Sequence, residues 1–269
     1  RPAPPAPAAL VSSREGQLHV FGTLDEYTAE LSAQVSTAQA PDGSVSLEAK
    51  GSREQVELHD IEFNVLKGAI SGEVSLSWAE QFNSHFNLRG KDLDPGELLK
   101  DWPGRIRFSA QGHQQGSEIT IEKLNATGKL RDNPFELQAK LNYDGKTTDV
   151  RALKLRSGSS RLIANGSIGE HSDFSWQLNS ADLSTLYPAA EGSVVSDGRI
   201  TGSRPLPNIN AELKASAVRV EGLRIGNIDL NANVNLKSVK PSSLRLLAED
   251  LIVAETKLTK LTLVIDGNR

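Results

Sequence analysis

Ile228-Asp229-Leu230-Asn231-Ala232-Asn233-Val234-Asn235-Leu236 alternates apolar and polar residues without a break. Successive side chains of an extended chain point to opposite faces, so this stretch reads as a strand with one oily side and one wet side. The same rhythm runs through Ile209-Asn210-Ala211-Glu212-Leu213-Lys214-Ala215, Val218-Arg219-Val220, Ile119-Thr120-Ile121 and Phe135-Glu136-Leu137-Gln138-Ala139-Lys140-Leu141. No segment shows a comparable 3.6-residue period over three turns.

Between the runs stand Pro41-Asp42-Gly43, Tyr143-Asp144-Gly145, Asp197-Gly198 and Glu221-Gly222. Such residues supply the positive φ of tight hairpin turns. The expected fold class is therefore all-β: an elongated antiparallel sheet built from repeated hairpins. Two stretches depart from it. Asp94-Pro95-Gly96-Glu97-Leu98-Leu99 and Asp182-Leu183-Ser184-Thr185-Leu186-Tyr187 each open on an Asp suited to capping and close before a proline, Pro103 or Pro188, which predicts one or two helical turns in each.

These exceptions belong to a loose internal repeat. Leu88, Leu93, Leu98, Pro103 and Gly104 reappear as Leu178, Leu183, Leu186, Pro188 and Gly192, and Val45-Ser46-Leu47-Glu48-Ala49 resembles Phe135-Glu136-Leu137-Gln138-Ala139. Copies are expected at about 41–133 and 134–207, within a repetitive body covering 16–269. Residues 1–15, with Pro2, Pro4, Pro5 and Pro7 among alanines, read as a Pro-rich spacer or frayed terminus. Repeating strand units that cannot bury an apolar face alone must stack on their neighbours, which gives an extended object with mostly local contacts.

Composition narrows the function. Of 269 residues, 30 are Lys or Arg and 34 Asp or Glu, a net charge of −4 with both signs dispersed, which argues against nucleic acid as a partner. There is no run of about 20 apolar residues to span a bilayer. Met is absent even at position 1, so the chain reads as a piece of a longer protein, with any signal or anchor outside it. Cys is also absent, which removes disulfide frameworks and thiol chemistry. Aromatics are only 5%, few for a round core.

No nucleophile elbow, P-loop, dinucleotide fingerprint or zinc-protease motif occurs. His19, His59, His85, His113 and His171 have no helical or hairpin metal spacing, and His59 and Asp60, as strand neighbours, are expected to face opposite ways. Carboxylate pairs such as Asp92 with Asp94, or Glu249 with Asp250, read as solvated loop charge. No enzyme activity, metal or cofactor is expected. What remains is the apolar face, rich in Leu, Ile, Val and Ala. It suits either the interior of a filled sandwich or, if left open, hydrocarbon chains packed without ring-specific geometry.

Leu93-Asp94-Pro95-Gly96 with Trp102-Pro103-Gly104-Arg105-Ile106, and Leu183 with Leu186-Tyr187-Pro188, Gly192-Ser193-Val194, Gly198-Arg199-Ile200-Thr201-Gly202 and Pro207-Asn208-Ile209, resemble the middle repeats of the TamB family, AsmA-like translocation and assembly proteins of the Gram-negative envelope. The resemblance covers about residues 16–266 as a style of repeat, and Ser184-Thr185 replaces Pro95-Gly96 in the second copy. It implies a β-sheet curled into an apolar trough, often likened to a taco. It also implies a periplasmic protein, anchored in the inner membrane by an N-terminal helix and docked to the outer-membrane barrel TamA, both through regions outside this chain. Phospholipid would move along the trough, and assembly of outer-membrane proteins is attributed to the same system.

On this reading acyl chains lie against Ile61, Phe63, Val65, Ile70, Val74, Leu76, Leu137, Leu141, Leu153, Leu155, Ile209, Leu213, Ile228, Leu230 and Val234, with charges such as Glu136, Lys140, Glu212, Lys214, Arg219 and Asp229 facing outward. The alternative is a β-scaffold that binds unfolded outer-membrane protein clients by strand addition.

Overall fold

Each alternating run forms a strand of an antiparallel meander, in which each hairpin pairs with the next. The structure, a computed structural model, describes residues 11–13, 15–37, 41–235, 241–253 and 256–267. Most of the Pro-rich opening and Leu236, the last residue of the run quoted first, lie outside these. The chain divides into two units, Arg1–Gly116 and Ser117–Arg269.

The first unit holds β1 (Val11–Ser12), β2 (Gly16–Gly22), β3 (Tyr27–Thr37), β4 (Gly43–Gly51), β5 (Gln55–Val65), β6 (Gly68–Ser77), β7 (Asn83–Leu93) and β8 (Gly104–Gln115), with a 3-10 turn at Pro95–Glu97. From β2 to β8 every strand pairs with its successor. Val11–Ser12, in the stretch read as spacer, pairs with β3 beyond the end of β2.

The second unit holds β9 (Glu118–Leu130), β10 (Asn133–Tyr143), β11 (Thr148–Ser157), β12 (Ser160–Ile168), β13 (His171–Ser180), β14 (Ala190–Ser203), β15 (Asn208–Val220), β16 (Leu223–Asn235), β17 (Ser242–Val253) and β18 (Thr256–Gly267), with a second 3-10 turn at Leu183–Thr185. Consecutive strands again pair throughout. The all-β class, the repeated antiparallel hairpins and the two short helical turns are as expected. Asp94 and Asp182 cap those turns, accepting from the backbone N–H of Gly96 and Ser184, each at 2.9 Å. Among the described residues no ladder returns from the last strand of either unit to its first, so each sheet is open and not curled into the trough that the resemblance implies.

The turn chemistry differs from expectation at several points. Asp197-Gly198 is not a hairpin turn but lies inside β14, directly opposite Trp176 of β13. A Cβ at Gly198 would come within 2.4 Å of the Trp176 ring, so the glycine makes room for an indole laid across the ladder. Gly90 does the same for Phe108 in the first unit. Conversely, Leu66-Lys67 and Arg131-Asp132 form two-residue turns with φ of 53° and 60°, and 50° and 63°. Neither dipeptide carries the usual Asn or Gly signal.

Several strands also break the alternation without losing the face. Leu58 and Ile61 of β5 pair with Val74 and Gly72, which share one side of β6. Gly90 and Leu93 of β7 pair in the same way with Phe108 and Ile106. The extra residues form bulges, with Asp60 at φ 48° and Asp92 at φ 55°. Ile121 with Leu124 in β9, and Val150 with Leu153 in β11, repeat the three-residue step.

Candidate functional site

The ladder registers place the proposed lining on one face within each unit. In the first, Phe63 stands opposite Ile70, Val56 opposite Leu76, Leu58 opposite Val74, Ile61 opposite Gly72 and Val65 opposite Gly68. All six lining residues of β5 and β6 therefore point the same way. In the second unit a single cross-strand row runs Ala126, Leu137, Leu155, Leu162, Leu178, Ser196, Leu213, Leu230, Leu246, Leu263. Flanking rows carry Leu153 between Ala139 and Ala164, Leu141 between Ile121 and Val150, Ile209 between Ile200 and Val234, and Ile228 between Ala215 and Ala248. Hairpin alternation alone brings these residues together, because directly opposed residues of an antiparallel pair share a face.

Burial shows what kind of face this is. Its fully buried members are mostly small: Ala139 is 4% exposed, Ala164 3% and Ala248 4%. Of the fifteen lining residues only Val65 is buried, and the other fourteen are half-buried. Tall side chains shade the alanines between them while their own tips stay open. A facing sheet would cover those tips, so the filled-sandwich reading is set aside.

The opposite face is wet. Glu136, Lys140, Glu212, Lys214, Arg219 and Asp229 are all exposed. Several charges meet an opposite one across the ladder, Arg219 with Glu191 at 3.0 Å and Lys214 with Asp229 at 3.9 Å. Arg199 donates from Nε and Nη2 to both oxygens of Asp173 at 2.7 Å, which lowers the Asp173 pKa and raises that of the guanidinium. A shallow hollow of about 530 Å³ lies on this polar side, lined among others by Asn165, Gln177, Asp197, Asn210, Glu212 and Asn233.

The residues weighed for catalysis have structural partners. His59 meets Glu57, two residues back on the same side, at 3.3 Å. Asp92 forms a bulge and lies 3.8 Å from Arg105, and Glu249 lies 3.9 Å from Lys260. Asp94 accepts from Gly96 and Gly104, each at 2.9 Å, and approaches Lys67 at 3.4 Å. The backbone donors of Gly104 and Gly96, then Lys67, hold its pKa below the ordinary carboxylate value. Hydrogen bonding and charge from Glu97, then Asp94, raise the pKa of Lys67.

One spacing inference needs correction. His85 and His113, 28 positions apart, sit directly opposite each other on β7 and β8 with stacked rings 5.6 Å between centroids. The 3-10 turn between those strands lengthens the connection, so sequence separation hid the pair. Among the described residues no three His, Asp or Glu side chains gather as metal ligands.

Among the described residues no helix is long and apolar enough to cross a membrane, which leaves membrane-crossing strands unaddressed. No solved structure matches the chain. A relative from Haemophilus influenzae, the translocation and assembly module subunit TamB, is 24% identical over 241 residues, which cover 87% of this chain but 18% of that protein. A family model described as the N-terminal domain of TamB matches residues 3–269, and with an all-β meander carrying one oily and one wet face, the chain belongs to the TamB family.

Proposed function

We propose that the apolar face carries phospholipid acyl chains, as one segment of a periplasmic bridge between inner and outer membrane that serves a translocation and assembly module. The observation that supports this reading is the half-open leucine row of the second unit: eight leucines across nine consecutive strands, Leu137 to Leu263, with tips uncovered. Each methylene laid against such a face gains about 0.8 kcal/mol, and because the row repeats at every strand, the gain changes little with position. That suits sliding rather than a fixed site. The two capped 3-10 turns support the reading of 41–133 and 134–207 as repeat copies. Docking to TamA and the membrane anchor are assigned to parts of the protein outside this chain.

The test is mass spectrometry of organic extracts from the purified chain, beside a Leu213→Arg, Leu230→Asp double variant whose β-type circular dichroism is retained. Phospholipid that co-purifies with the parent and is lost from the variant supports the reading, since an unpaired charge in hydrocarbon costs several kcal/mol. Absence from the parent, or equal amounts in both, overturns it.

A second reading, strand addition by unfolded β-barrel clients, has one observation in its favour. Every residue of β18 is exposed, including Leu258, Leu261, Leu263 and Ile265, and its outer edge has no ladder partner among the described residues. A proline at an outward-facing N–H of β18 would abolish peptide capture on this reading and leave lipid content unchanged.

A further inference from the structure

The polar face of the second unit contains a paired-arginine rung whose charge is not answered by protein. Among its described residues, two rungs set cation against cation: Arg219 opposite Arg224, and Arg156 opposite Arg161. Like charges directly opposed destabilise a ladder. Arg219 is neutralised by Glu191 at 3.0 Å. Arg156 and Arg161 form no ion pair among the described residues, and Lys154, two positions from Arg156 on the same side, adds a third cation. Glu136 stands opposite Arg156 without closing an ion pair.

Two further features make this rung a site rather than a loose patch. A hollow of about 200 Å³ is lined by Glu136, Gln138, Lys154, Arg156 and Arg161, together with Leu155, Leu162 and Ile163. The backbone beneath is also held firmly. Ser157 and Ser160, the next residues toward the turn, point into the opposite face and are buried, with Ser157 donating to the Thr185 carbonyl at 2.7 Å and Ser160 bonded to the hydroxyls of Ser180 and Thr185, each at 2.6 Å. The two arginines thus rise from a fixed rung, with Cβ atoms about 5 Å apart. Planar guanidinium forks at that spacing match the oxygens of one tetrahedral dianion, which a lone lysine does not.

We infer that Arg156 and Arg161, assisted by Lys154, form a binding site for a phosphate group on the polar face, independent of the acyl-chain reading. The probe is inorganic pyrophosphate, titrated calorimetrically into the whole chain at low salt. Saturable binding that weakens about tenfold in Arg156→Gln and in Arg161→Gln, disappears in the double variant and tightens in Glu136→Gln is the expected result. Arg224→Gln, at the other like-charge rung, should bind as the parent does. A second arm uses co-sedimentation with phosphatidylglycerol and phosphatidylcholine vesicles. Binding to the anionic vesicles that is lost in the double variant means that a lipid headgroup supplies the phosphate. Pyrophosphate binding without vesicle binding means that a free phosphate compound does. The double variant should melt no lower than the parent, because it relieves repulsion. No saturable pyrophosphate binding, or affinity unchanged in the double variant, overturns the site.

Discussion

The two 3-10 turns adopt the same backbone shape through different chemistry. In the first unit the turn after β7 is held by charge: Asp94 accepts two backbone donors and Lys67 bridges to Asp94 and Glu97. In the second unit the turn after β13 is held by neutral hydroxyls. Thr185, 5% exposed, bonds to Ser160, which is fully buried, and Ser160 bonds to Ser180, while Arg131 donates to the carbonyl of Ser184. Asp182 still caps, but it is exposed and its carboxylate accepts only from the Ser184 N–H, while its carbonyl takes the Thr185 N–H and hydroxyl. A degenerate motif is the natural result, since only the backbone outcome is shared.

The comparison is broken most severely at Ser160. Ser160→Val strips the buried Ser180 hydroxyl of its partner and the Thr185 hydroxyl of one of two, and should cost about 3 kcal/mol in urea denaturation, with faster exchange of the Leu186 amide, which bonds to Leu183. Unchanged exchange there would mean that the hydroxyls do not hold the second turn. Removing the caps is milder and should separate the two turns. Asp94→Ala should cost about 1–2 kcal/mol and release the Gly96 and Gly104 amides to exchange, whereas Asp182→Ala should cost about 0.5–1 kcal/mol. Equal losses would erase the distinction.

Acid gives the smallest and most selective effect. The folded-state pKa of Asp94 is lowered, so its stabilisation is complete above the unfolded value near 4 and disappears as pH falls through the lowered one. The hydroxyl cluster has nothing to titrate. The Gly104 amide signal should therefore shift below pH ~4 while the Thr185 amide holds, and Lys67→Gln should move the Gly104 midpoint up toward the ordinary carboxylate value.

The faces were readable from sequence because strand alternation is a short-range rule, and the residues proposed as lining, from Ile61 to Val234, share one face within each unit. The turns were less legible. Asp197-Gly198 carries a hairpin signature, yet the cross-strand fit of Trp176 over Gly198 overrides it, and that contact joins residues 22 positions apart. Leu66-Lys67 and Arg131-Asp132 turn without a favourable dipeptide because the flanking ladders impose the geometry. The His85–His113 pair and the Arg156–Arg161 rung depend on register, which no single run reveals. The signal that was available is the three-residue apolar step across a bulge, as in Leu58-His59-Asp60-Ile61.

That step has an arithmetic consequence. Each bulge acts as a phase correction, returning an odd residue count to an even one, so the sheet tolerates length changes only in certain units. Deleting the bulge residue Asp60 would leave Leu58 and Ile61 on one face, whereas deleting Glu62, in a regular stretch, would turn Phe63 and Val65 to the wet side, and removing a whole hairpin would leave every remaining face in place. A protein built this way can be lengthened or shortened by the hairpin, but hardly by the residue.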